Sequence, residues 1–132
     1  MAQQLNSDQL LHFKTKLRGR GDQLREEIRD TLERSAEETH VRIAEQVRDL
    51  EDDSFSNLIV DVNLLEVERD ADELRRISSA LKRAAEGTYG TCADCDTAIP
   101  TQRLEAEPTA LRCVRCQERY EKTHATASTP SL

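Results

Sequence analysis

Four cysteines stand in two pairs, Cys92 with Cys95 and Cys113 with Cys116, in the spacing C-x2-C-x17-C-x2-C. A two-residue gap lets two thiolates on one turn take neighbouring corners of a tetrahedron. Zn2+ accepts four such sulfurs at about 2.3 Å. The spacing therefore predicts one structural Zn2+ held by Cys92, Cys95, Cys113 and Cys116. Four protein ligands leave no open position for a reacting water, so a catalytic zinc is not expected. A pair of redox C-x-x-C motifs is the rival reading, but no thioredoxin-like βαβ pattern surrounds either pair. His12, His40 and His124 lie outside both pairs and read as surface histidines. The metal is expected to substitute for a core that residues 88–117 are too few to build.

The second chemically loaded stretch is "RDLEDDSF", residues 48–55, where Asp49, Glu51, Asp52 and Asp53 put four carboxylates into five positions. Such charges repel one another and do nothing for a fold unless they stay in water. No nucleophile with a nearby base accompanies them, and no apolar context is present to form a pocket, so an enzyme is not expected. Of the 132 residues, 34% are charged, 3% are aromatic and none is Trp, a composition that fits long solvated helices better than a compact core. A formal charge of -7 argues against general attraction to nucleic-acid phosphates, so direct DNA binding is not expected. No apolar run approaches the ~20 residues of a membrane span, and the first residues lack a secretory pattern. A cytoplasmic location is expected, where thiols stay reduced or bind metal.

The elements that position these groups read as helices. "NSDQLLHFKTKL" opens with an N-cap at Asn6 or Ser7, followed by Leu10, Phe13 and Leu17 at helical spacing. In "RGRG", Gly19 and Gly21 each cost a helix interior ~1 kcal/mol relative to Ala and mark a joint or weak point. From Gln23 to Leu50 the stripe is Leu24, Ile28, Leu32, Ile43, Val47 and Leu50, thin across "ERSAEETH". A returning helix is expected from about Ser54 to Glu86, with Leu58, Val62, Leu65, Leu74, Ile77, Leu81 and Ala84 on its stripe and Gly87 closing it. "LIVDVNLL" also alternates like a strand, but the helical stripe continues through it. Arms of this length span roughly 42–50 Å and hide their stripes by pairing antiparallel. The acidic knot then falls at the hairpin tip, and Asp53 or Ser54 can cap the returning helix.

With hairpin and cysteine module both in place, the chain resembles the DksA/TraR family of bacterial transcription regulators. Similarity runs from "LLHF" to "RCQERYEK" and is densest in "GTYGTCADCDTAIPTQRLEAEPTALRCVRCQ", where Arg103, Leu104, Ala106, Pro108 and Ala110 stand at the family's spacing. The resemblance implies a protein that binds RNA polymerase and not DNA, and whose hairpin enters the secondary channel. It implies an acidic tip motif, D-x-x-D-x-A, acting near the catalytic centre. Here "DLEDDS" supplies Asp49 and Asp52, with Ser54 in place of the alanine. Arg69, Arg76 and Arg103 fall at positions that imply polymerase contacts. For Arg69 and Arg76 the alternative is surface ion pairing with Asp72 or Glu73. Family members respond to ppGpp through basic residues where this chain has Glu107 and Gln117, so a weak or absent ppGpp response is expected.

The expected fold class is all-α, a long antiparallel coiled-coil hairpin with a small four-cysteine zinc-binding module and a C-terminal helix. The expected division is an N-terminal helical segment over 1–22, the hairpin over 23–86 with its tip near 49–56, the zinc module with its helix over 87–124, and a disordered tail over 125–132. A monomeric, non-catalytic regulator of transcription initiation is the leading functional expectation. A zinc-containing helical adaptor for another protein is the alternative.

Overall fold

A computed structural model describes residues 5–46 and 64–128, the last four as backbone only. Five helices follow one another: α1 (Ser7–Glu33), α2 (Glu38–Gln46), α3 (Leu65–Glu86), α4 (Thr101–Ala106) and α5 (Val114–Ser128). The described residues contain no strand, and their one β feature is an isolated bridge between Thr91 and Ala98. The all-α expectation holds. Val47, Leu50, Leu58, Val62 and the tip residues Asp49, Asp52 and Ser54 lie outside the described residues.

α1 starts as its sequence predicts. The Asn6 side chain accepts from the Gln9 N–H at 2.8 Å, and the Gln9 side chain accepts from the Asn6 N–H at 3.0 Å, a reciprocal capping box. The helix then runs unbroken through Gly19 and Gly21 to Glu33, so the joint expected at the glycines does not interrupt it. Phe13, Leu17, Leu24, Ile28 and Leu32 are buried on one face. Burying an aliphatic side chain contributes about 1.5–3 kcal/mol, which outweighs the ~1 kcal/mol that each helical glycine costs.

The outgoing arm breaks where a continuous helix was expected. α1 stops at Glu33, and α2 begins at Glu38 after a turn that contains no apolar side chain larger than Ala36. His40, expected on the surface, is 8% exposed. The Ser35 hydroxyl meets its Nδ1 at 2.7 Å, and Nε2 lies 3.2 Å from the Glu37 carboxylate. These partners let an imidazole replace an apolar residue under the turn.

α3 pairs with α1. Phe13 packs against Tyr89, just past the end of α3, with the rings tilted by 50° and their centroids 5.9 Å apart; Gly21 lies opposite Ile77, and Arg20 holds Glu73 through two hydrogen bonds of 2.6 and 3.0 Å. Rising numbers on one helix meet falling numbers on the other, so the pair is antiparallel. The buried face of α3 is Val67, Ala71, Leu74, Ile77, Ala80 and Ala84, with Leu81 packed at its edge. Leu65, assigned to the stripe from sequence, is 64% exposed. Leu64 is extended at the N-cap position of α3 and makes no side-chain cap hydrogen bond, so α3 starts at Leu65; the start expected near Ser54 lies outside the described residues. Gly87 ends it in the left-handed region at φ 83°, where glycine carries no Cβ penalty. α5 reaches Ser128, four residues into the stretch expected as a disordered tail.

Candidate metal centre and adjoining groove

Two knuckles build the cysteine site. In the first, the Cys92 N–H donates to Thr97 O at 2.8 Å and the Asp96 N–H to Cys92 O at 3.0 Å, closing a turn that puts Asp96 at φ 61°. Gly90, just before it, combines φ 85° with a close approach: a Cβ there would meet Leu5 Cδ1 at 3.2 Å. The second knuckle opens α5, with Cys113 before the helix and Cys116 in its first turn. The Ala93 N–H donates to Leu111 O at 3.0 Å, and Arg112 Nε to the Asp94 carboxylate at 2.9 Å, tying one knuckle to the other.

The four sulfurs all lie within 4.8 Å of one another. Cys95 and Cys113 are 3.8 Å apart, and a tetrahedron with metal–sulfur bonds of about 2.3 Å has an edge of about 3.8 Å. The donor set and its size therefore fit one Zn2+. Cys92 and Cys116 are buried while Cys95 is exposed, so the ion would sit at the module's surface with its inner side shielded. Burial works against ionising Cys92, but backbone N–H groups of Cys113, Cys95 and Asp94 donate to it and hold it down to about 6. The Thr97 hydroxyl likewise lowers Cys95. Cys116 is pushed up to about 12, first by its hydrogen bond with Cys113 and then by burial. Thiols this crowded cannot all ionise without a cation among them.

The module shares its core with the helix pair. Tyr89, Ile99, Leu104 and Ala110 belong to the same buried cluster as Phe13, Leu17 and Leu24. The Tyr89 hydroxyl donates to Pro108 O at 2.7 Å, and burial raises its pKa to about 12. On the surface, Glu105 accepts from Lys16 at 3.0 Å and lies 2.7 Å from His12 Nε2, clamping α4 to α1.

A groove of about 1090 Å³ runs between α3, the residues after α4, and α5. Arg76, Arg103, Glu107 and Gln117 all border it, so four positions singled out in the sequence converge on one surface. Arg103 is partly spent inside the module: its Nε donates to Arg112 O at 2.9 Å, and Nη1 lies 3.7 Å from the Glu107 carboxylate. Arg69 is separate, beside Glu27, Glu66 and Asp70. The alternative for Arg69 and Arg76, ion pairing with Asp72 or Glu73, is not formed among the described residues: Arg75 takes Asp72 and Arg20 takes Glu73, and Arg76 acts on Glu73 only from a distance. Arg112 was missed in the sequence. It stacks 3.9 Å from the Tyr120 ring centroid while bonding Asp94, and a basic residue beside the third cysteine was the available signal.

Residues 87–122 match the prokaryotic dksA/traR C4-type zinc finger family. The chain is 34% identical over 118 residues to the RNA polymerase-binding transcription factor DksA of Caulobacter vibrioides, covering 89% of this chain and 80% of that one. It is 29% identical over 113 residues to the protein of the same name from Escherichia coli, covering 86% and 72%. Among solved structures it is similar to the transcription factor DksA2 from Pseudomonas aeruginosa, with a TM-score of 0.61 and 26% identity over 91% of this chain and 88% of that one. A four-sulfur centre of the right size, seated at the base of an antiparallel helix pair and matched along most of the chain, places this protein in the DksA/TraR family, with one structural zinc as its metal.

Proposed function

We propose that this chain is a non-catalytic regulator of transcription initiation that binds RNA polymerase and carries the acidic tip of its hairpin into the secondary channel. The observation that carries the reading is its extended similarity to a relative named as an RNA polymerase-binding factor, over 80% of that relative's length. A helix pair anchored on a zinc module is the second support. In this reading Asp49 and Asp52 act at the tip, with Ser54 beside them, and Cys92, Cys95, Cys113 and Cys116 hold the metal that fixes the base. Arg69 and Arg76, which do not pair with Asp72 or Glu73, meet the polymerase. Arg103 serves more as a brace.

The groove beside Arg76 is also bordered by Arg75, Arg83 and Arg112, but it has an anion and a neutral amide at the two places where the family resemblance implies cations. Glu107 and Gln117 border it, and Glu107 leans on Arg103. The ppGpp response is accordingly weak or absent. The protein works as a cytoplasmic monomer without contacting DNA. Its working division is 1–22, 23–86 and a zinc module from 87 onward, with the first two units sharing α1 and α5 carrying the module to Ser128.

Co-purification with polymerase, together with transcription in vitro, tests the proposal on one preparation. The wild-type protein is expected to bind polymerase and change initiation. Asp49→Asn with Asp52→Asn is expected to keep most of the binding and lose the effect. A protein that never captures polymerase leaves the helical-adaptor reading in its place. A double variant that still regulates reduces the acidic tip to a solvated turn.

A further inference from the structure

Gly19 and Gly21 sit inside α1 with no local need to be glycine. A Cβ on Gly19 meets nothing within 4 Å, and one on Gly21 meets only Ile77 Cγ2 at 3.7 Å, an ordinary contact. Neither has a positive φ. What glycine does supply in a helix is backbone freedom, and paired small or Ser residues are where helices bend.

Their position gives that freedom a use. Before them, α1 is fastened to the zinc module, with Leu5 against Gly90, Phe13 against Tyr89, and His12 and Lys16 on Glu105. After them, Leu24, Ile28 and Leu32 are buried where α1 runs along α3 and α2. On the facing helix, the Gly21–Ile77 contact brings Ser78, Ser79 and Ala80 to the same level. A cavity of about 400 Å³ lies alongside, bordered by Leu17, Arg20, Glu73, Glu105 and Pro108, between the helix pair and the module. The strongest polar bond at this level, Arg20 to Glu73, joins α1 to α3 and not to the module. It would travel with the outer helices.

We infer that residues 18–21 of α1, with Ser78–Ala80 opposite, form a flexural joint on which the outer helix pair pivots over its zinc-bearing base. The joint bends an intact helix and needs no break in it. Its effect is to let the outer pair be aimed without disturbing the metal site.

Pulsed dipolar EPR on the zinc-loaded full chain tests this. Nitroxides are attached through introduced ketone side chains, which spare the cysteines, at exposed Glu33 and exposed Gln102. A second pair at Glu33 and Asp72 lies wholly on the outer side of the joint. Gly19→Ala with Gly21→Ala is expected to narrow the Glu33–Gln102 distance distribution, leave the Glu33–Asp72 distribution unchanged, and raise the melting temperature by about 5 °C. Equal Glu33–Gln102 widths in parent and variant overturn the joint. Equal narrowing of both pairs also overturns it, because the alanines would then be stiffening the whole helix pair. A variant that melts below the parent contradicts the room seen at both glycines and removes the basis of the inference.

Discussion

Leu65 and Leu74 offer a sharp test of which face of α3 is inside. The apolar spacing of the sequence puts both on one stripe, yet Leu74 is 3% exposed and Leu65 is 64% exposed. Truncating each to Ala removes three carbons and leaves helix propensity almost untouched. At about 0.8 kcal/mol per buried carbon, Leu74→Ala loses about 2.4 kcal/mol of transfer energy. The space left in the buried cluster it shares with Leu24 and Ile28 raises the total to about 3–4 kcal/mol. Leu65→Ala loses little of either term and should stay within about 0.5 kcal/mol of the parent. Urea unfolding of zinc-loaded protein, followed by far-UV circular dichroism, measures both against the parent at a common slope. In a 132-residue chain the Leu74 variant should also melt about 10 °C or more below the parent. If Leu65→Ala costs as much as Leu74→Ala, the stripe runs through Leu65 as the sequence periodicity says, and the start of α3 is misplaced.

Purified protein should carry one equivalent of zinc by elemental analysis, and Cys113→Ser should lower that content and the melting temperature together; full zinc in the variant would remove Cys113 from the ligand set. Glu73 and Asp70, one turn apart, should have opposite pH signatures. The Glu73 pKa is lowered, chiefly by its hydrogen bond from Arg20, so its contribution is complete above the unfolded value of about 4.3 and is lost as pH falls through the folded one. Glu73→Gln should therefore destabilise at pH 7 and match the parent in strong acid. The Asp70 pKa is raised, first by burial and then by Glu27, so Asp70→Asn should stabilise at pH 7 and converge with the parent in acid; the same sign for both variants in thermal melts would contradict these environments. Glu107→Arg with Gln117→Lys should create or strengthen a ppGpp response in transcription assays, and no change would detach the groove from that ligand.

How much was legible in advance follows from how local each signal was. The zinc site was fully legible, because two C-x-x-C knuckles state their own geometry and only the distance between them was left to the fold. The inner face of α1 was legible from Leu10 to Leu32 because 3.6-residue spacing and burial agree there. Three things were not. The glycines mark a joint or weak point in sequence but do not tell that α1 stays continuous through them, because propensity is visible in sequence while the burial that holds the helix together belongs to α3. The turn after Glu33 was read as a thin seam, since a helix with few apolar residues and a helix end look alike without the partner surface. His40 was placed outside because imidazole burial depends on Ser35 and Glu37 meeting both nitrogens, a closure that only the turn creates.

The zinc module and the helix pair are coupled more closely than their sequences indicate. The cysteine-bearing residues bury Cys92, Ile99 and Leu104 in one cluster with Phe13 and Leu17, and the Glu105 clamp holds α4 to α1 from outside. The metal therefore organises more than its own loop, because the side chains it positions are the surface on which the first half of α1 rests. Loss of zinc should accordingly loosen the base of the helix pair as well as the knuckles. The outer half, with its own buried row from Leu24 to Leu32 against Val67, Ala71 and Leu74, depends on the metal only through α1 and α3. That arrangement separates two demands. The base must be stiff and is cross-linked by four sulfurs and a continuous core. In the proposed function the segment between α2 and α3 brings four carboxylates in five positions to the hairpin tip, and their repulsion would weaken any packed site. A tip held away from the base, as that proposal has it, would keep the repulsion in water, where it costs the fold least.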